Sequence, residues 1–231
     1  VCRLLLRVFE IHNRKNFEVF GYSLGKPSGD QVFARAVQAF DQFKDLSLMS
    51  DNKIVSVVES DKIDIAIDLS GYTKNHRVNI FSKRLAPIQI NYLGFPGSMG
   101  AQFMDYIIAD NYLIPPKSEK YYSEKIIFMP HCYQAQDNTI ETQFENIKRE
   151  NFNLPKNNFV FCAINASYKI SEQAFIVWTN LLLKKPKSVL WLLKENDLSE
   201  QNLRKFAARQ GVDPARLIFS KRCPFEDYMK K

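Results

Sequence analysis

The sequence predicts an α/β fold made of two tandem Rossmann-like units. Two observations indicate this fold. Short apolar segments of strand type alternate with amphipathic segments of helix type, which is typical of parallel α/β architecture. The alternation stops in a polar stretch near residue 150 and then restarts. A solenoid is excluded, because no sequence repeat of about 20 to 50 residues is present.

The first unit is assigned to residues 1–150 and is expected to begin with a helix, since Leu4, Leu5, Val8 and Ile11 recur at helical spacing. Ser28 is the expected N-cap of a second helix. Hydrophobic periodicity predicts the elements of this unit, which are helices over residues 1–13, 28–43 and 50–62 and strands over 17–24, 62–71, 105–110 and 125–130. The strand over 62–71 is expected to be buried.

The second unit is assigned to residues 151–231 and follows a polar linker of about 25 residues. Its predicted elements are strands over 158–165, 188–196 and 215–221 and helices over 171–185 and 199–211. Ser171 is the expected N-cap of the first of these helices. A charged stub, PFEDYMKK, ends the sequence.

Composition narrows the class of protein. The 231 residues are 45% hydrophobic and carry a net charge of +7. The basic residues are scattered among acidic ones, which argues against a nucleic-acid partner. No apolar run approaches the roughly 20 residues of a membrane span, and the charged N-terminus does not resemble a signal peptide. A cytoplasmic protein without a membrane partner is expected, and its four dispersed cysteines suggest neither zinc nor redox chemistry.

The sequence GFPGSMG, residues 94–100, is the first candidate binding element. Three glycines in seven residues let backbone N–H groups approach a ligand closely, and Pro96 stiffens the turn. An ordinary tight connection between strands is the alternative.

The segment INASYKI, residues 164–170, is the second candidate. Ligands of open α/β sheets lie beyond the carboxyl ends of the strands, and this segment follows the first strand of the second unit. Lys169 stands just before Ser171, so its ammonium group and the free N–H groups of the next helix could bind a diphosphate together. A solvated loop lysine is the alternative.

Three longer stretches carry a resemblance to a known family. They are residues 84–110 (RLAPIQINYLGFPGSMGAQFMDYIIAD), 121–134 (YYSEKIIFMPHCYQ) and 161–170 (FCAINASYKI). Together they resemble the catalytic region of the O-linked N-acetylglucosaminyltransferases, also called SPINDLY-like proteins. The resemblance implies a GT-B glycosyltransferase fold and the transfer, with inversion, of N-acetylglucosamine from UDP-GlcNAc to Ser or Thr hydroxyls of an acceptor protein.

The same resemblance implies the site residues. Lys169 would bind the diphosphate and offset charge on the leaving group, next to Tyr168. Leu93, Gly94 and Pro96 would line the pocket for the sugar. No metal or other cofactor is expected, because the sequence has no Asp-x-Asp pair of the kind that holds one in many glycosyltransferases.

Two positions bear on the choice of donor. Ala166 stands where related sequences have an amide side chain near the nucleotide. Gly97 favours N-acetylglucosamine, because fucosyltransferase relatives have asparagine there. A protein O-fucosyltransferase using GDP-fucose and a non-catalytic nucleotide-sugar-binding module are the alternatives.

The resemblance also implies that the chain is a fragment of a longer, bacterial-type protein. Relatives carry a His-Pro pair just before the position of Val1, an HTT-type segment beyond Lys231 and tetratricopeptide repeats that recruit acceptor proteins. None of His12, His76 and His131 stands out as a general base. With its second unit truncated, the chain alone is expected to have little or no activity.

Overall fold

The computed structural model describes residues 2–139 and 148–223, which fall in two compact units. In the first unit, the helices and strands are α1 (Cys2–Glu10), β1 (Phe20–Ser23), α2 (Gln31–Ala39), β2 (Gln42–Asp45), α3 (Asp51–Ser60), β3 (Ile65–Asp68), β4 (Ile88–Asn91), β5 (Tyr106–Ala109) and β6 (Lys125–Phe128). In the second unit, they are β7 (Phe159–Ala163), α4 (Glu172–Lys184), β8 (Ser188–Lys194), α5 (Asp197–Arg209) and β9 (Leu217–Lys221).

All strand pairs in these sheets are parallel. The first unit has a four-stranded sheet of order β3-β4-β5-β6 and a separate pair β1-β2, and the second has a three-stranded sheet of order β7-β8-β9. Parallel strands end at the same edge of a sheet, so the loops that follow them are gathered there. The expected α/β fold is confirmed.

Each unit has its own apolar core. In the first, Ile54 and Val58 of α3 pack with Phe81 and Met104. In the second, Leu182 of α4 packs with strand residues of β8 and with Ala207 of α5. Among the described helices, none has both the length and the apolar character needed to cross a bilayer. The domain boundary near residue 150 stays a prediction. Residues 140–147 and the charged stub PFEDYMKK lie outside the described residues.

The helix predicted over residues 28–43 was wrong at both ends. Asp30 is the N-cap instead of Ser28, because its carboxylate accepts from Phe33 N at 2.8 Å. The helix ends at Ala39, and the residues after Asp41 form β2 against β1. The carboxylate of Asp41 accepts from Val19 N at 2.7 Å, which ties the start of the new strand to its neighbour.

Two further expectations were wrong in detail. The strand predicted as buried over 62–71 is only four residues long, and its Ile65 and Ile67 are 46% and 47% exposed. The helix predicted from Ser199 begins two residues earlier, because Asn196 caps it by accepting from Ser199 N at 2.8 Å. The cap at Ser171 is confirmed, since its hydroxyl accepts from Ala174 N.

Adjacent leucines on α4 provide a test of the second core. Leu182 is 0% exposed, whereas Leu183 is 45% exposed. We expect Leu182→Ala to lower the free energy of unfolding by about 2–5 kcal/mol, because it removes buried methyl groups and leaves a cavity. The matched change Leu183→Ala should cost less than about 1 kcal/mol. Urea unfolding followed by circular dichroism measures both, and equal losses would contradict this packing.

Candidate functional site

The first candidate element is the loop of residues 92–100, which leaves the carboxyl end of β4. Asn91, the last residue of that strand, is fully buried, and its Nδ2 donates to the carbonyls of Phe95 at 2.9 Å and Gly97 at 3.2 Å. Two tyrosines hold the loop from outside. The Tyr72 hydroxyl donates to the Met99 carbonyl, and that of Tyr122 to the Pro96 carbonyl.

Glu124 anchors the far end of the same loop. This buried carboxylate precedes β6 and accepts from Met99 N at 2.6 Å and from the Ser98 hydroxyl at 2.8 Å. A buried carboxylate that accepts several hydrogen bonds is strongly held, because charge-assisted bonds are stronger than neutral ones. The loop is therefore tied down at both ends, which suits it to hold a ligand without first being ordered.

The predicted site residues Leu93, Gly94 and Pro96 come together in this loop. Leu93 is 8% exposed and has a φ of 69°, a left-handed conformation that costs a side-chain-bearing residue about 1–2 kcal/mol. Gly94 lies against the loop after β3, where a Cβ atom would stand 2.2 Å from the carbonyl oxygen of Leu69. Pro96 is exposed. A glycine is required at position 94 by this close approach rather than by its dihedral angles.

Asp68 and Asn91 lie beneath this loop, and the sequence analysis missed both. They are register partners at the ends of β3 and β4, and both are buried. Asp68 Oδ1 accepts from Ser70 N at 2.9 Å, but Asp68 Oδ2 and Asn91 Oδ1 have no donor among the described residues. Two buried acceptors side by side are suited to a water molecule or to another group with hydrogen-bond donors. The signal that could have found them was a polar residue inside an otherwise apolar run, Asp68 in KIDIAIDLSG and Asn91 in APIQINYL.

Asp110 fastens the segment that follows β6. Its buried carboxylate accepts from Leu113 N and Tyr133 N at 2.8 Å and from Tyr112 N at 3.0 Å. These backbone hydrogen bonds, the one from Leu113 first, hold the pKa of this carboxyl below its usual range. The Tyr133 carbonyl in turn accepts from the hydroxyl of Tyr92, and burial raises the pKa of that phenol. Asp110 therefore supports the start of the loop of residues 92–100 indirectly, through Tyr133 and Tyr92.

The second candidate element lies in the second unit, at the carboxyl end of β7. There Ser167–Lys169 forms a short 3-10 turn, closed by hydrogen bonds from Lys169 N to the Ala166 carbonyl and from Ile170 N to the Ser167 carbonyl, both 3.0 Å. Tyr168 is 81% exposed, and Lys169 is exposed as well. The structure thus brings Tyr168 and Lys169 together on one turn.

The turn leads directly into α4. Ser171 caps this 13-residue helix, so Lys169 stands two residues before the cap and three before the first residue of the helix. A helix N-terminus carries about half a positive charge and favours anions. A lysine ammonium group and a helix N-terminus so close in the chain would both attract a phosphate group.

Glu195 is a residue of this element that the sequence analysis also missed. It follows β8, and its Oε2 accepts from Ser167 N at 2.7 Å and from the Ser167 hydroxyl. Its Oε1 accepts from Arg222 Nη2, beyond β9, at 2.7 Å. The hydrogen bonds from Ser167, together with that from Arg222, hold the pKa of Glu195 below its usual range. The loops after all three strands of the second sheet are therefore linked through one carboxylate.

Of the three histidines, His76 contacts the support of the loop of residues 92–100, because it packs against Tyr72, whose hydroxyl donates to the Met99 carbonyl. His12 packs edge-on against Phe17 and His76 edge-on against Tyr72, while His131 is exposed. Within the described residues, no three His, Cys, Asp or Glu side chains lie together as a metal site would require.

Gly94 provides a test of the close contact between the loop of residues 92–100 and the loop after β3. We expect Gly94→Ala to lower the free energy of unfolding by about 1–3 kcal/mol, because the new methyl group would overlap a backbone carbonyl that cannot turn away. Gly25→Ala is the control, since a Cβ there meets nothing within 4 Å. Urea titrations of both variants measure the difference. A Gly94→Ala protein as stable as the Gly25→Ala protein would show that the loops after β3 and β4 are not so close.

Asp110 provides a test of pH dependence. Because its pKa is lower in the folded state than the unfolded value of about 3.9, its contribution to stability is full above that value and is lost as the pH falls through the folded pKa. We expect Asp110→Asn to lower the urea midpoint at pH 7, and the gap from the unmodified protein to narrow below about pH 4. A gap that stays constant between pH 7 and pH 3 would contradict this assignment.

The sequence of this chain is similar to a known protein family and to several of its members. The model of glycosyl transferase family 41 matches residues 1–144 and 134–231. A probable UDP-N-acetylglucosamine–peptide N-acetylglucosaminyltransferase SEC of Arabidopsis thaliana is 38% identical over 95% of this chain and 23% of its own length. The UDP-N-acetylglucosamine–peptide N-acetylglucosaminyltransferase of Caenorhabditis elegans is 25% identical over 96% of this chain and 29% of its own length.

The fold of this chain is also similar to a solved structure. A lysine-to-methionine variant of the Thermobaculum terrenum O-GlcNAc transferase superposes with a TM-score of 0.87 at 26% identity, covering 98% of this chain and 42% of that one. The chain thus spans less than half the length of these relatives. Because the family model matches both units and the plant relative exceeds 30% identity over nearly the whole chain, the chain belongs to glycosyltransferase family 41.

Proposed function

We propose that the complete gene product transfers N-acetylglucosamine from UDP-GlcNAc to Ser or Thr hydroxyls of acceptor proteins. The names of the plant and nematode relatives support this donor and a peptide acceptor. The observation that carries the proposal is the turn Ser167–Lys169, which presents an exposed ammonium group just before a capped helix at the carboxyl end of a parallel strand. That arrangement suits a nucleotide diphosphate.

Lys169 is the residue we assign to the leaving group. In an inverting transfer the acceptor hydroxyl attacks the anomeric carbon from the face opposite the diphosphate, and the bond to the diphosphate breaks through an oxocarbenium-like transition state. Negative charge then builds up on the departing phosphate. A preorganised ammonium group and the N–H groups of α4 stabilise that charge more than they stabilise the ground state.

The loop of residues 92–100 is the part we assign to the sugar. Gly94 brings the backbone close to the loop after β3, and the bonds from Asn91 keep the loop in one shape. Leu93 and Pro96 are two of its apolar residues, and on the second unit we assign Tyr168 to the donor as well.

Metal-independent transfer is part of the proposal. A lysine and a helix N-terminus supply the charge that a metal would otherwise supply. We expect activity of the complete gene product to survive EDTA. The reaction is placed in the cytoplasm, as the sequence suggests.

A non-catalytic nucleotide-sugar-binding module is the second candidate. Both candidate donor-binding elements, the loop of residues 92–100 and the turn Ser167–Lys169, lie within these 231 residues. Binding a nucleotide sugar needs no general base, so these two elements are sufficient for a binding module. Calorimetry with UDP and a transfer assay with UDP-GlcNAc and an acceptor peptide separate the two candidates. Binding without transfer by the complete gene product would favour the module, and transfer from GDP-fucose alone would favour a fucosyltransferase.

Lys169→Met is the direct test. We expect it to lower kcat of the complete gene product by at least about 100-fold, a loss of electrostatic stabilisation of about 2.7 kcal/mol or more. Folding should be unaffected, because Lys169 is exposed. Lys205→Met, which removes an exposed lysine of α5, is the matched control and should retain activity. Equal kcat values for the two variants would refute the role given to Lys169.

A further inference from the structure

The link between Ser167, Glu195 and Arg222 has no counterpart in the proposed function so far. Each of these residues follows a different strand of the second sheet: Ser167 follows β7, Glu195 follows β8 and Arg222 follows β9. One carboxylate joins them, by accepting from Ser167 N, from the Ser167 hydroxyl and from Arg222. The side chain of Glu195 is only 18% exposed, whereas that of Arg222 is 68% exposed.

The contact with Ser167 adds to the two backbone hydrogen bonds that close the turn, which come from Lys169 N and Ile170 N. Ser167 is the first residue of the turn that carries Tyr168 and Lys169. Both of the following side chains are exposed, so packing contributes little to the conformation of the turn. The two hydrogen bonds to Glu195 fix the backbone and the side chain of Ser167 together, and they come from the neighbouring strand. The first residue of the turn is therefore held from outside it, while Lys169 N bonds to the Ala166 carbonyl within it.

The charge of Glu195 also has to be accounted for. A bare carboxylate close to a diphosphate site would repel the ligand. Here it accepts two hydrogen bonds from Ser167 and one from the guanidinium group of Arg222 at 2.7 Å, so its charge is already compensated. Charge-assisted bonds of this kind are about twice as strong as neutral ones, which makes the carboxylate a firm anchor.

We propose that Glu195 is a positioning residue for donor binding, and that it acts through Ser167 on Lys169. This inference rests on the proposed function and adds to it a residue that does not itself touch the donor. It requires Glu195 to matter for the diphosphate part of the donor and to be unimportant for the nucleoside part. It also requires the effect of Glu195 to depend on the presence of the Lys169 ammonium group.

The test compares the binding of two probes, UDP and uridine, to variants of the complete gene product. Glu195→Ala removes the anchor and should weaken UDP binding about tenfold or more, since hydrogen bonds to a charged group are lost. Binding of uridine, followed by NMR, should change less than about twofold because it lacks phosphates. Glu195→Gln keeps an acceptor for Ser167 and loses the ion pair with Arg222, whose side chain is 68% exposed, so UDP binding should stay within about fivefold of the unmodified value.

Two further variants separate positioning from a general structural role. In a Lys169→Met background, Glu195→Ala should change UDP binding by less than about twofold, because the group it positions is gone. Asp213→Asn is the matched control. Asp213 also binds a backbone N–H, that of Ala215 at 2.9 Å, but it stands before β9, at the opposite end of the sheet. It should leave UDP binding unchanged.

The outcomes distinguish this inference from the function on which it rests. If the unmodified protein fails to bind UDP, the proposed function fails and this inference fails with it. If the unmodified protein binds UDP and Glu195→Ala binds it equally well, only the inference is overturned. Equal weakening of uridine and UDP, or a full effect of Glu195→Ala in the Lys169→Met background, would also overturn it, because Glu195 would then support the whole unit rather than the turn.

Discussion

The loops that follow parallel strands lie at one edge of the sheet, but the hydrogen bonds between the strands do not extend into these loops. The candidate site therefore depends on other hydrogen bonds that fix the loops. In each unit a polar side chain at the end of a strand binds the backbone of a loop. Asn91 does so for the loop of residues 92–100, and Glu195 does so for the turn that begins at Ser167. A glycine-rich loop and a three-residue turn are flexible on their own, so these bonds decide their shape.

The two elements divide the proposed chemistry according to what each can offer. The loop around Gly94 contributes closely approaching backbone and few charges, which suits a neutral sugar. The turn contributes the Lys169 ammonium group and leads into the N-terminus of α4, which suits a diphosphate. In a transfer reaction the charge develops on the phosphate and not on the sugar hydroxyls, so the larger part of the catalytic stabilisation is assigned to the second unit.

Sequence reasoning succeeded where the interaction that determines a local structure lies within the same short segment. Ser171 caps a helix through a residue three positions away, and the glycines of residues 94–100 mark a loop without reference to the rest of the chain. It failed where the cause lies far away. The helix from Gln31 stops at Ala39 because Asp41 binds Val19, 22 positions earlier. Nothing in the local pattern of Phe40 to Phe43 indicates this.

The residues that anchor the candidate loops also have partners far away in the sequence. Glu195 binds Ser167 across 28 positions, and Glu124 binds Met99 across 25, so neither partner could be identified from spacing. Asp68 and Asn91 are side by side only because β3 and β4 pair in this register. The sequence by itself determined the alternation of elements, the capped helix after Lys169, the glycine loop and the family resemblance. Tertiary structure alone decided which polar side chains anchor those loops, because strand register brings together groups that the chain keeps far apart.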